Sequence, residues 1–346
     1  MAQSIALTSG SLLIGSPIAV TVKSEKGLDK ATFHRVKLIV SAAMSTDPKW
    51  QNFELSAPAG SNEDIVFDIS TALRSVAARY THGVVTQKKE YPYIMYTLKA
   101  YDEWMLNGLL TEHYGERILP AAGNYYALFG AFTERERYAS TSGTRSVTTF
   151  TRKPHKGEVV GGNDILVVPI PPSSPLGLFS AIEKGPEVDL ILIGQQIEGE
   201  NTFYGHTVYV DHSVRDRMLF QFVNGYGVIE TISAEMLESA ESNGETEIDV
   251  ITAPSSFGNP RLSVSRRGNR TTTYKCSSGY VNREWAEWWT NEFLGGDSFR
   301  RGGHNQCWVR IDGSWLPCVV VPEEDITLYD RTKPGLTQIE FEVRVL

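Results

Sequence analysis

The closing stretch Ile339-Glu-Phe-Glu-Val-Arg-Val345 alternates apolar and charged residues without a break. A period of two puts Ile339, Phe341, Val343 and Val345 on one face of a strand and Glu340, Glu342 and Arg344 on the other, as a half-buried sheet strand requires. The same period recurs upstream. Val36, Leu38, Val40, Ala42 and Met44 alternate with Lys37, Ile39, Ser41 and Ala43, and Phe53/Leu55, Ile65/Phe67/Ile69, Ile94/Tyr96/Leu98 and Tyr126/Leu128/Phe132 continue the theme. Apolar runs at 165–170, 188–193, 208–210 and 218–222 add further short strands. Asp312-Gly313, between the runs 307–311 and 315–321, is a strong signal for a hairpin turn, and Pro317 in the second run points to an edge position or a bulge. Many short strands with Gly, Pro, Asn and Ser between them predict a mainly β chain, built as β-sandwich or barrel-like domains with one or two short helices.

The two helices are legible by their faces. Ser70 is placed to cap one in which Leu73, Val76, Ala77 and Tyr80 share a side. Asn282 is placed to cap the second, over 283–294, with Glu284 near its positive end and Gly295-Gly296 stopping it. On that helix Trp285, Trp288, Trp289 and Phe293 form a broad aromatic stripe, expected to dock into a core with Phe341 and Val343 of the closing strand. An aromatic platform for sugar is the other reading of the stripe. The 346 residues suit two domains, and the polar stretches 135–149 and 152–163 are the natural breaks. They divide an N-terminal β-rich domain, 1–150, from a C-terminal one, 164–346, that carries the aromatic helix.

Net charge is −8, with 41% apolar and 21% charged residues, an ordinary balance for a chain with a sizeable core. It argues against a general nucleic-acid partner, since that affinity rests on clustered Lys and Arg. The acid is uneven. Residues 183–250 hold 14 Asp and Glu against Lys184, Arg215 and Arg217, a balance of −11, which leaves +3 for the rest. Arg266, Arg267 and Arg270, then Arg300 and Arg301, form short basic clusters downstream. An acidic middle and a basic C-terminal region could meet between copies, head to tail, and close into a ring. Cys276, Cys307 and Cys318 are too few and too scattered for a disulfide framework and are expected to be small buried hydrophobes. The first residues lack the basic and apolar regions of a signal peptide, and no window approaches ~18 continuous apolar residues, so no membrane insertion is expected.

A search for catalytic spacing returns no GxSxG, P-loop, GxGxxG, HExxH or EF-hand pattern. No catalytic residue, metal ligand or cofactor is therefore assigned, and the chain is not expected to be an enzyme. His206 and His212 bracket one strand and could share a sheet face, a thin basis for a metal. Glu198/Glu200 and Glu323-Glu324-Asp325 are carboxylate groupings of the sort a β-rich glycoside hydrolase would need. Trp50, Trp104, Trp308 and Trp315 could stack on sugars in a carbohydrate-binding or adhesin module.

The phrase Phe220-Gln-Phe-Val-Asn-Gly-Tyr-Gly-Val-Ile-Glu-Thr231 resembles one found in tail structural proteins of tailed phages and prophages. Ser278-Gly-Tyr-Val-Asn-Arg-Glu-Trp285 ahead of an aromatic helix, then Trp315-Leu-Pro-Cys-Val-Val-Val321, Tyr329-Asp330 and the closing strand, follow in the order of those proteins. The likeness spans about residues 215–346, with a fainter echo at 67–74, and is similar to the distal-tail or tail-tip and baseplate class. It implies β-sandwich domains assembled as a ring, contacts with copies of itself and with other tail proteins, no cofactor, and a place in the virion tail after assembly in the bacterial cytoplasm.

Overall fold

The computed structural model describes residues 5–10, 12–25, 31–78, 80–120, 123–133, 136, 146–214, 217–253, 261–294, 306–322 and 335–346. The N-terminal region contributes β1 (Ile5–Gly10), β2 (Ile18–Lys23), β3 (Ala31–Met44), β4 (Asp47–Pro58), β5 (Asp64–Asp68), helix α1 (Ser70–Ala77), β6 (Lys89–Glu90), β7 (Ile94–Leu106), β8 (Leu109–Leu119) and β9 (Tyr125–Ala127). One sheet runs β4-β3-β7-β8 with β9 on β7, and a second runs β1-β2-β5. The alternation read at 36–44 is the reason: Val36, Leu38, Val40 and Ala42 face inward against Tyr96, Leu98 and Ala100 of the neighbouring strand. The buried side of α1, from Leu73 to Val76, closes this first core. Its cap is not Ser70. That residue is the first of the helix, and Asp68 Oδ1 accepts from both Ser70 N (2.9 Å) and Ile18 N (3.1 Å). A carboxylate two residues upstream satisfies a helix donor and a strand donor together, which a serine hydroxyl at position 70 cannot do.

The middle of the chain gives β10 (Glu158–Gly161), β11 (Ile165–Ile170), β12 (Glu187–Leu192), β13 (Gly199–Phe203) and β14 (His206–Asp211). They form two small sheets, β10-β14-β13 and β11-β12-β6. The second borrows β6 from the N-terminal region: Glu90 and Lys89 pair with Glu187 and Val188. A shared core repeats the bond in side chains. It joins Leu12, Leu13, Leu128 and Phe132 to Val167 and Val188 and to Val223, Tyr226 and Ile229. The regions on either side of 150–164 therefore share both a sheet and buried apolar surface.

The C-terminal region contains β15 (Arg217–Val223), β16 (Ile229–Ala253), β17 (Arg261–Val281), helix α2 (Arg283–Trp288, continued as a π-helical turn Trp289–Leu294), β18 (Cys307–Ile311), β19 (Ser314–Pro322) and β20 (Thr337–Val345). The strands close a barrel in the order β15-β16-β17-β20-β19-β18. Closure leaves no free edge around its wall. In β20, Ile339, Phe341 and Val343 are buried while Arg344 is exposed. Asp312 and Gly313 both take left-handed φ (49° and 80°), the conformation of a two-residue hairpin turn between β18 and β19. The edge or bulge expected at Pro317 is corrected: it pairs with Trp308 inside the closed barrel. The ladder to β20 ends one residue earlier, at Cys318–Val345, and only the Pro317 carbonyl is used there, accepting from Leu346 N at 3.0 Å. The missing N–H of Pro317 therefore breaks no rung of that ladder.

The largest departure from the sequence reading is the length of β16 and β17, with 25 and 21 residues. Their outer part pairs with no third strand among the described residues. Pairing of β15 with β16 stops at Arg217–Glu235, and pairing of β20 with β17 stops at Arg344–Thr273. Residues 241–253 and 261–272 run on as a two-stranded ribbon, from Glu241–Thr272 to Ala253–Arg261, with no other described strand beside them. At roughly 3.3 Å per residue the ribbon reaches about 40 Å from the barrel.

Candidate functional site

Two features stand out: a charged joint buried between the regions, and the ribbon. The joint begins with the aromatic helix. Asn282 caps α2, its Oδ1 accepting from Trp285 N at 3.0 Å. Trp285, Trp288, Trp289 and Phe293 are all buried, in one core with Phe220, Phe222, Phe341 and Val343. Phe293 lies edge-on to Trp289 with centroids 5.0 Å apart, and Trp289 also meets Phe341 at 5.8 Å. A stripe buried in this way offers no sugar platform. Trp285 Nε1 donates to Lys156 O at 2.7 Å, which fastens the segment 150–158 to the helix.

On one side of that segment stands Arg152. Its guanidinium donates from Nη1 to Glu292 Oε1 (2.6 Å), from Nε to Glu136 Oε1 (2.8 Å), and from Nη2 to Glu136 Oε2 (2.8 Å) and Ala131 O (2.7 Å). It also lies 4.4 Å from the Tyr226 ring centroid. Glu292 Oε2 accepts from Gly225 N at 2.8 Å, and Gly225 O accepts from Ala131 N at 2.8 Å. The turn Asn224-Gly-Tyr-Gly227 is thus one place where the N-terminal region touches the barrel. Asn224 shapes it, its Oδ1 accepting from Tyr226 N at 2.9 Å and its Nδ2 donating to Phe150 O at 2.8 Å. The approach is close enough to exclude side chains: a Cβ on Gly130 (φ +91°) would stand 2.4 Å from Gly225 O. Burial disfavours the Arg152 charge, but Glu292 and Glu136 outweigh it and hold the guanidinium above its usual range. Glu136 is held below its usual range, burial being overcome by Arg152.

The next residue, Lys153, enters a second buried cluster. Its Nζ donates to Glu158 Oε1 (2.6 Å) and Thr231 O (2.7 Å), and sits 5.7 Å from the Trp288 ring centroid. Glu158 Oε2 is 2.5 Å from His206 Nε2. Burial alone would raise Glu158, yet Lys153 and His206 carry it below the usual carboxylate range. Glu230, also deep in this cluster, behaves oppositely. Burial raises it to about 7, only partly offset by Lys153 and by Thr151, whose Oγ1 donates to Glu230 Oε2 at 2.6 Å. Glu230 Oε1 has no hydrogen-bond partner among the described residues. Two carboxyls driven to opposite protonation states are a signature of acid–base chemistry when both face a substrate. The small cleft nearby, about 130 Å³ and lined by Glu158, Arg217, Tyr280 and Trp285, includes Glu158 but not Glu230.

The remaining candidates are dispersed. His206 is buried on Glu158, whereas His212 is exposed beyond the end of β14 with Nε2 3.2 Å from Gln196 O, so the two do not converge. Among the described residues no group of three or more His, Cys, Asp or Glu could hold a metal. Cys276, Cys307 and Cys318 are free thiols buried in the barrel core. Of the four tryptophans considered for sugar, Trp104 is buried and Trp50 is exposed, while Trp308 and Trp315 are partly buried. No described helix is long and apolar enough to cross a membrane. Gly295-Gly296, Arg300, Arg301, Glu323-Glu324-Asp325 and Tyr329-Asp330 lie outside the described residues.

The ribbon also answers part of the charge pattern. Its register sets Glu247 opposite Arg267, Ile248 opposite Arg266 and Asn243 opposite Arg270. Acidic and basic segments that looked like surfaces for separate copies run side by side in one hairpin. Comparison with family models, with curated proteins and with solved structures returns no match for this chain.

Proposed function

We propose that the chain is a structural subunit of a phage or phage-derived tail, at the tip or baseplate, that forms a ring with copies of itself and binds other tail proteins. The observation that carries this reading is the ribbon of residues 241–253 and 261–272, which leaves the barrel with no third strand among the described residues. An isolated two-stranded hairpin is marginally stable at best in water, so a ribbon about 40 Å long calls for cover from another chain. The resemblance of residues 215–346 to tail proteins names the kind of assembly in which such cover is found. The concentration of buried charge at Arg152 and Lys153 adds support of another kind: it is spent on fixing the regions to one another, as a load-carrying subunit needs.

The test exploits the hairpin's own register. Ala240 and Thr273 are paired neighbours, so an Asn-Gly turn between them replaces 241–272 without touching the strands that border β15 and β20. The intact protein should give a mass of several subunits in solution and rings in negative-stain images. The shortened protein should fold and run as a monomer. An intact protein that is monomeric, or a shortened one that still forms rings, overturns the proposal. Binding of oligosaccharide by the intact monomer, lost on Trp50→Ala, would favour the adhesin reading instead.

A further inference from the structure

We propose that Glu230 is a proton-controlled latch for the joint between the barrel and the small β10-β14-β13 sheet, which is fastened while its carboxyl is protonated and loosened once it ionises. The geometry comes first. Glu230 is the second residue of β16, close after the Asn224–Gly227 turn, and its carboxyl is completely enclosed. Thr151 donates to one oxygen and the other has no hydrogen-bond partner among the described residues. The charged and polar groups that face it come from each neighbouring element: Lys153 and Thr151 from the linking segment, Asn224 from the turn, and Glu292 from the π-helical turn after α2. Glu158 of β10 and His206 of β14 stand behind Lys153 and claim its charge. Lys153 Nζ already serves Glu158 and the Thr231 carbonyl. An ionised Glu230 therefore adds an anion beside Glu292 with no cation of its own, whereas a neutral carboxyl adds none.

The direction follows from linkage. Glu230 titrates at about 7 in the closed joint, against an ordinary value of 4.5 once the joint is open to water. The closed form holds the proton more tightly, so closure is fully favoured below about 4.5 and weakens tenfold per pH unit between there and 7, then levels off. Between pH 5 and 7.5 the loss is roughly 60-fold in the opening equilibrium. The carboxylates with the opposite shift, Glu158 and Glu136, lose their contribution only under more acid conditions.

Hydrogen exchange read by mass spectrometry on the full chain tests the latch, with rates corrected for intrinsic pH dependence. The reporters are the amides of segment 151–158, which links the barrel to β10, since Lys153 N donates to Thr151 Oγ1 (3.0 Å) and Lys153 Nζ to Glu158 and Thr231 O. Their protection should fall about 60-fold from pH 5 to 7.5, while segments 218–222 and 339–345 within the barrel stay constant. Glu230→Gln, neutral at every pH, should be flat and protected throughout. Thr151→Val, which removes the hydrogen bond that favours the ionised form, should keep the transition and move its midpoint upward. Protection in the intact chain that does not change with pH overturns the latch. So does an unaltered transition in Glu230→Gln, or an unmoved midpoint in Thr151→Val. A transition abolished by His206→Gln but kept in Glu230→Gln would assign the sensor to the histidine and overturn it too.

Discussion

Trp289→Ala should lower the unfolding free energy by about 3–5 kcal/mol, the cost of emptying a fully packed aromatic site. Trp289 is 2% exposed, and its ring meets Phe293, Phe341 and Trp288 at 5.0, 5.8 and 5.8 Å between centroids. Those partners come from the same helix and from β20, so the side chain ties the helix to the barrel wall. The void cannot collapse easily, because α2 is held at its start by the Asn282 cap and by Trp285 Nε1 on Lys156 O. With total stability of a domain at about 5–15 kcal/mol, the loss is a large share of what holds the barrel closed. Trp289→Phe keeps an aromatic ring in place and should cost appreciably less. Denaturant midpoints for both variants decide the matter. A Trp289→Ala protein as stable as the parent would mean that the helix does not dock on the barrel.

The elements that reveal themselves in the sequence are those whose two faces meet different solvents. β3 and β20 each have one buried side set by neighbouring strands, so their apolar residues fall in register with the pleat, whereas β11 and β15 are buried on both faces and show as continuous apolar runs, 165–170 with its true ends. The aromatic stripe of α2 is legible for the same reason, as is the Asp312-Gly313 turn, where local chemistry alone sets the backbone. The ribbon is not. Its strands carry Glu, Ser, Thr, Asn and Arg in a pattern without a strong apolar face near the barrel, and a register shift at Asn243/Thr246 breaks the period, as another at Met236/Glu238 does just before the ribbon. The alternation of Ile248 with Val250 and of Leu262 with Val264 was the available signal. Closure of the barrel escapes the sequence as well, because β15 meets β18 across more than eighty intervening positions of chain. The joint is harder still. Arg152 and Lys153 look like surface cations in a polar linker, and Glu136, Glu158, Glu230 and Glu292 like surface acids. Nothing local says that they converge, since each contact spans between 5 and 140 positions.

Arg152→Ala should cost about 3–5 kcal/mol, because it removes one partner of a buried ion pair and leaves the other charged. Glu292 has a 3% exposed side chain and would keep only Gly225 N among its described hydrogen-bond donors. Ala131 O would lose its guanidinium donor, and Tyr226 the cation above its ring. Arg152→Lys should recover little. The site uses the planar fork of Nε, Nη1 and Nη2 to reach two carboxylates and a carbonyl on different elements, a geometry that one ammonium cannot match. The double variant Arg152→Met with Glu292→Gln should be less damaging than Arg152→Ala, since it buries no unpaired charge. The loss also has a shape. Arg152 joins Ala131 and Glu136 to the turn and helix of the barrel, so its removal weakens the seam more than either side of it. Where the parent unfolds in one transition, Arg152→Ala should unfold in two, with the near-ultraviolet signal of Trp285, Trp288 and Trp289 surviving into the second. A single unshifted transition would show that the regions are held together by their shared apolar core and the β6–β12 pairing alone.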